Sequence, residues 1–194
     1  VGVDIDYNII LQKKKQTEYI NPNKNYFLLD FNKNWMAQLK KQNKYGEFKD
    51  IKFDTILCLN SIHNTYTNFK EFINQISHVS NNKCTLIIKF LNNTSFNLLL
   101  QKHNKTRLHF ETNWVHKIND NQIKYYYGHC HQEPIIEYMF GHNELICGFK
   151  TNSWELLEHI KLDDYIESNY ISSNSYLWDK YLQCFEILVF RFNK

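Results

Sequence analysis

The stretch FDTILCLNSIHNTYTNF, residues 53–69, constrains this chain more than any other. An apolar run ends in a short polar turn carrying His63, and a segment with spaced aromatics follows. Two earlier pieces share the strand-then-polar form, VGVDID at residues 1–6 and YFLLDF at residues 26–31. An open parallel α/β sheet needs buried strands of this kind, each ending in a carboxylate or a polar turn. It builds its ligand crevice at the carboxyl ends of those strands.

Helical spacing fills the intervals. Residues 8–19 read as a helix, with Ile9, Ile10 and Leu11 followed by the basic run Lys13-Lys14-Lys15, and Asn21-Pro22-Asn23 as a turn. Trp35, Met36 and Leu39 share one face over 34–42, and Tyr45-Gly46 opens a loop. Residues 53–60 are expected as the central strand, and 84–90 as another continuous apolar strand beside it. Phe69, Phe72, Ile73 and Ile76 mark a helix over 67–79 with Thr67 as its N-cap, and a capping Thr opens a helix over 94–101. The first half therefore predicts a parallel sheet with right-handed crossovers.

The second half differs. Residues 109–115 and 122–127 alternate like a hairpin joined by Asn119-Asp120-Asn121. A short helix at 143–150 and strands at 154–159 and 184–192 follow, the last closing the sheet antiparallel. The expected fold class is α/β: an open twisted sheet, mostly parallel, with an antiparallel closing strand and a hairpin insertion.

At 194 residues and 43% hydrophobic, the chain can bury one sizeable core, so a single domain over 1–194 is expected. Aromatics at 16% with 2 Pro and 5 Gly exclude a linker-rich chain, and the abundance of Asn, Lys and Ile reads as AT-rich codon usage. A formal charge of +3 permits an anionic partner without demanding one. The five cysteines are odd in number and sit in apolar runs, which fits free thiols in a reducing, cytoplasmic compartment. His129-Cys130-His131 lacks a second ligand pair, so it reads as a polar loop or substrate-facing wall, and no metal site is expected. No stretch approaches the roughly 20 apolar residues of a membrane span. The chain starts at Val1, mid-strand by pattern, and is expected to be the C-terminal piece of something longer.

In a nucleotide-binding open sheet, a carboxylate at a strand end accepts hydrogen bonds from a ribose diol. Asp4 sits at such an end. The following strand ends in Asp30-Phe31, where a carboxylate can take the exocyclic amine of adenine and a ring can stack on the base. A helix cap or a solvated turn explains either acid equally well. Together, and followed by the strand end at 58–63, they point to an adenosyl ligand.

In order and spacing over nearly the whole chain, these segments resemble the mRNA cap guanine-N7 methyltransferases, especially the capping enzymes of large DNA viruses. The similarity runs from VGVDID and YFLLDF through YGEFKDIKFDTILCLNSIHNTYTNF to PIIEYMF at 134–140 and ILVFRFNK at 187–194. It implies a class I methyltransferase fold and S-adenosyl-L-methionine as cofactor. Asp4 would hold the ribose, Asp30 and Phe31 would flank the adenine, and Leu59 and Asn60 would lie along the methionine portion. His63 and Asn64 would face the cap guanosine, with Glu137 accepting from the guanine edge. Capped RNA, other domains of a capping enzyme and a stimulatory subunit are the implied partners. The implied location is the cytoplasm, a viral factory or a virion.

The departures are specific. Leu59 stands where the family has Gln, Asn64 where it has Tyr, and Ile187 where a cap-facing aromatic belongs, with Phe185 and Glu186 beside it. The family's Gly-rich loop would precede Val1. His63 could equally cap a helix or bond a carbonyl, Glu137 could be a surface carboxylate, and Tyr125, Tyr126 and Tyr127 could be strand aromatics or a pocket wall. The alternative function is a catalytically silent methyltransferase-like module that binds or stabilises a partner subunit. A methyltransferase acting on a small molecule or protein is more distant.

Overall fold

Among the described residues from Tyr26 to Lys102, strands at Tyr26–Leu28, Phe53–Leu59 and Ser80–Leu91 are each followed by helix, as the periodicity predicts. The structure, a computed structural model, describes residues 2–4, 26–110, 113–126, 133–162 and 176–194. The expected helix at 8–19 with its lysine run, the turn at 21–23, Tyr127 and His129-Cys130-His131 lie outside the described residues. Two compact units are present: Val1–Lys52 with Thr67–Val79, and Phe53–Tyr66 with Ser80–Lys194.

In the first unit, β1 (Gly2–Asp4) and β2 (Tyr26–Leu28) pair in parallel, with Asp4 opposite Leu28. Helix α1 (Trp35–Lys41) starts because the Asn34 side chain accepts from the Ala37 N–H, and it buries Trp35 and Leu39, four residues apart. It ends at Asn43, whose φ of 56° is left-handed. The N–H groups of Asn43 and Lys44 turn back to the carbonyls of Lys40 and Leu39. The loop expected at Tyr45 is a short helix instead, α2 (Tyr45–Phe48). One helical turn brings the Phe48 ring edge-on to Phe27 at 5.1 Å, and both are buried. Helix α3 (Phe69–His78) buries Phe72, Ile73 and Ile76. Thr67 does not cap it. A 3-10 helix over Ile62–Asn68 precedes α3, and the Thr67 hydroxyl donates to Asn32 Oδ1 at 3.1 Å.

In the second unit, β3 (Phe53–Leu59), β4 (Ser80–Leu91), β9 (Trp154–Lys161) and β10 (Phe185–Phe192) form a sheet in the order β3-β4-β10-β9. β3 and β4 run parallel, as expected of adjacent strands, and β10 runs antiparallel to both of its neighbours. The strand expected at the centre, β3, stands at one end of this order among the described strands, with Leu57 and Leu59 exposed. Leu86, Ile88 and Phe90 of β4 and Leu188, Phe190 and Phe192 of β10 are buried at alternate positions. Phe149 of α5 (His142–Lys150) packs on Phe190 at 4.7 Å.

Helix α4 (Asn93–Lys102) is capped by Asn92, not Thr94: Asn92 Oδ1 accepts from the Ser95 N–H at 3.0 Å, and Thr94 lies inside the first turn. The expected hairpin is part of an antiparallel meander of β5 (Arg107–Phe110), β6 (Asn113–Asn119), β7 (Gln122–Tyr126) and β8 (Ile135–Tyr138). Phe110 and Val115 are both buried, yet they are separated by an odd number of positions, which one continuous strand would put on opposite faces. They belong instead to two antiparallel strands, with Leu108 opposite Val115. Phe96 and Leu100 of α4, Leu108, Val115 and Ile123 of the meander, and Tyr181 of α6 (Tyr176–Leu182) form one apolar cluster. No helix among the described residues is long and apolar enough to cross a membrane.

Candidate active site

The carboxyl end of β3 is shaped by Asn60. Its φ of 54° turns the chain out of the strand, and its N–H is held by the Lys89 carbonyl of β4 at 2.9 Å. The 3-10 helix begins two residues later, anchored by buried Ile62 and by the Thr65 hydroxyl on the Ile62 carbonyl. That fixes His63 beside β8. His63 Nε2 lies 2.8 Å from Glu137 Oε1, and the Tyr125 hydroxyl donates to the same oxygen at 2.6 Å. Both side chains are about one-fifth exposed, His63 at 17% and Glu137 at 21%. They line a cavity of about 160 Å³ with Asn60, Tyr138, Phe140, Tyr181 and Phe185. That is below the roughly 300–1,000 Å³ of pockets enclosing a whole drug-sized ligand, and suits a single ring system.

A polar chain braces the cavity. Asn93 Nδ2 donates to Asn121 Oδ1, and Asn121 Nδ2 donates to the Tyr66 hydroxyl at 3.0 Å. Tyr66 in turn stacks on Tyr138 at 4.5 Å, with 7° between the planes. Sequence reasoning passed over Tyr66 and Tyr138. Their only signal was that one follows the histidine turn and the other follows Glu137. Of the three consecutive tyrosines, Tyr125 faces the cavity and Tyr126 packs on Trp114 at 6.1 Å. The cavity wall also carries Phe185, two residues before the position where the resemblance puts an aromatic.

Asp4 and Asp30 belong to the first unit. Asp4 ends β1, and Asp30 lies two residues past its partner strand, so both backbones emerge at the same edge. The Asp30 loop is held by Gln38, which accepts from the Asp30 N–H at 2.8 Å and donates to its carbonyl at 2.9 Å. Burial pushes the Asp30 carboxyl up. The Lys33 ammonium at 2.9 Å and the Asn32 N–H outweigh that, and the result is below the usual carboxylate range. The Phe31 ring is partly buried, 6.0 Å from Trp35 and 5.9 Å from Phe72. In the second unit, Leu59 and Asn64 are exposed and do not line the cavity, while Asn60 does. Burial pushes the Cys58 thiol up to about 11, against a weak Ser61 contact, so it is protonated at neutral pH and no nucleophile.

No family model and no curated relative matches the chain. Solved structures do. An S-adenosylmethionine-dependent methyltransferase from Clostridium acetobutylicum is similar over 99% of this chain and 74% of its own, with a TM-score of 0.66 and 10% identity. A putative S-adenosylmethionine-dependent methyltransferase from Listeria monocytogenes is similar over 100% and 79%, with a TM-score of 0.62 and 10% identity. A putative methyltransferase of Haloferax volcanii, solved in complex with a methyltransferase activator, gives 100% and 71%, a TM-score of 0.57 and 8% identity. With β3 and β4 parallel and β10 reversed between β4 and β9, the chain has the class I methyltransferase fold.

Proposed function

We propose that this chain transfers the methyl group of S-adenosyl-L-methionine to N7 of the guanine cap of mRNA. The observation that carries this reading is the Glu137 carboxylate beside a ring-sized cavity. Its Oε1 takes both the His63 and Tyr125 bonds, which leaves Oε2 without a protein partner among the described residues. Guanine presents an N–H and an amino group on one edge, and a carboxylate is the acceptor for both. N7 methylation also leaves a positive charge on the ring, which a fixed carboxylate stabilises as it develops. N7 has a free lone pair, so no general base is required. His63 and Tyr125 act by holding the carboxylate in place, and positioning supplies the rate. Tyr138 and Phe185 on the cavity wall support aromatic contact with the base in place of the family's missing rings.

The residues fit the cofactor's chemistry. Asp4 ends β1 and Asp30 follows β2, its parallel neighbour, by two residues, and two acceptor-only groups match a ribose diol and an adenine amine. When bound, the cofactor supplies an electrophilic methyl group. Asp4, Asp30, Phe31, Leu59 and Asn60 are the proposed binding residues, and His63, Asn64 and Glu137 the proposed cap-facing ones. The Haloferax neighbour's activator supports a stimulatory subunit as a partner.

The test uses the full-length protein and a GpppA-capped RNA. Glu137→Ala is expected to lower methyl transfer about a hundredfold or more, with S-adenosylhomocysteine affinity by calorimetry unchanged. Asp4→Ala with Asp30→Ala is expected to weaken that affinity. Near-normal transfer in Glu137→Ala removes the cap reading. A wild-type protein that binds no S-adenosylhomocysteine leaves the silent module instead.

A further inference from the structure

We infer that His142, His159 and Glu186 form a site for one divalent transition-metal cation of the zinc type, separate from the cavity at Glu137. His142 opens α5, His159 lies on β9 and Glu186 on β10, so three elements of the second unit bring one ligand each. The ligand atoms all lie within 4.8 Å of one another. His159 Nε2 is 2.8 Å from Glu186 Oε2, and His142 Nδ1 is 3.6 Å from that same oxygen. None of the three lines the cavity.

Glu186 is the observation that demands explanation. Its side chain is 3% exposed, on a strand whose other buried positions are Leu188, Phe190 and Phe192. A carboxylate in an apolar row is costly unless it is paired or coordinated. Among the described residues, the groups that reach it are the two imidazoles. Two imidazoles and a carboxylate, with room for solvent, are the donor set of zinc sites that keep an open position. The room is present: the His142 and His159 side chains are 33% and 24% exposed.

The hydrogen bond from a neighbour sets which His142 ring nitrogen faces the site as an acceptor. Asn92 Oδ1 is committed to the Ser95 N–H as the cap of α4, so Asn92 Nδ2 faces His142 Nδ1 at 3.2 Å and donates to it. Nδ1 therefore presents a lone pair rather than a proton, which is the form in which an imidazole ligates. A cation takes that lone pair from the amide. It also takes the place of the proton now shared by His159 Nε2 and Glu186 Oε2. Zinc–ligand bonds near 2.0 Å set ligand atoms roughly 3.3 Å apart in a tetrahedral site. The 2.8 Å pair must open and the 3.6 Å pair must close by a few tenths of an ångström. The two imidazole nitrogens, within 4.8 Å of each other, must settle at the same spacing, which side-chain rotation of the two partly exposed histidines can supply. The cation would clip the start of α5 to the two strands beneath it.

The experiment titrates zinc chloride into metal-free full-length protein by calorimetry, with thermal melts alongside. One zinc per chain is expected, with a rise in Tm of roughly 5–10 °C at a hundredfold excess over the dissociation constant. His142→Ala and His159→Ala, both at partly exposed positions, should each weaken uptake by about tenfold or more. Cobalt(II) in place of zinc should give visible absorption that both variants lose. Absence of stoichiometric uptake overturns the site. So does uptake undiminished in both variants and lost instead in His129→Ala with His131→Ala.

Discussion

Asp30 is held ionised by neighbours rather than by exposure. Its folded-state pKa lies below the ordinary 3.8, so the ion pair with Lys33 contributes stability above that value. The contribution is lost as pH falls through the folded-state pKa. Lys33 is 71% exposed, which keeps the effect near about 1 kcal/mol or less. Asp30→Asn is therefore expected to lower the urea midpoint slightly at pH 7, with the gap closing as pH falls below 3.8 and through the lowered folded-state pKa. A gap that persists at low pH would mean that Asp30 acts through something other than its charge. At this scale the sequence was legible where chemistry is rare. A histidine in a polar turn and a glutamate after a hairpin stood out before any coordinates. Tyr125 was open between strand aromatic and pocket wall, and lines the cavity. Tyr66 and Tyr138 did not stand out, because a tyrosine in an aromatic-rich chain is ordinary until a contact singles it out.

Asn92 is where three elements are tied. Its side chain caps α4 and reaches His142 of α5, and its N–H is held by the Cys184 carbonyl just before β10. Asn34 caps α1 at an exposed site. Losing an N-cap costs about 1 kcal/mol, and a buried cap with a second partner costs more. Asn92→Ala is thus expected to cost about 2 kcal/mol and Asn34→Ala about 1 kcal/mol in denaturant unfolding. Equal costs would show that the His142 contact adds nothing. Most elements could be read from periodicity, with errors at their edges. Thr67 and Thr94 are good capping residues by type, yet each has an asparagine within two positions that takes the cap position instead. The meander was misread because the 109–115 alternation spans two strands. The antiparallel pairing of Leu108 with Val115 shows that the segment belongs to two strands.

The order β3-β4-β10-β9 places the last strand of the chain between two earlier ones. Residues 85–91 must wait for 185–191, so this sheet is rich in non-local pairing and its assembly is expected to be slow. Leu188, fully buried opposite Ile88, sits at that junction. Leu188→Ala is expected to cost about 3 kcal/mol, and to lower Tm by roughly 5–12 °C in a thermal melt. A loss below about 1 kcal/mol would show that the strand is not held by its packing. The class of the whole fold was legible because the apolar runs at 53–60 and 84–90 do pair as adjacent parallel strands, even though β3 keeps Leu57 and Leu59 exposed. The substrate is less legible, because one scaffold hosts many reactions and the distinction rests on the few side chains around Glu137.

The left-handed residues carry a practical consequence. Asn43, Asn60, Lys83, Asn104 and Ser153 all have positive φ, and no glycine among the described residues does. Asn43 and Asn104 follow α1 and α4, where helices commonly place glycine. Asparagine tolerates that conformation, but a lysine carries a steric cost of about 1–2 kcal/mol there. Glycine at those sites is thus unused engineering headroom. Lys83→Gly, at the exposed position in β4 with φ 68°, is expected to raise stability by roughly 0.5–1 kcal/mol in denaturant unfolding, while Asn43→Gly changes it little. A stabilising glycine inside a strand reverses the usual rule, and this backbone permits it because the penalty is already present in the folded chain.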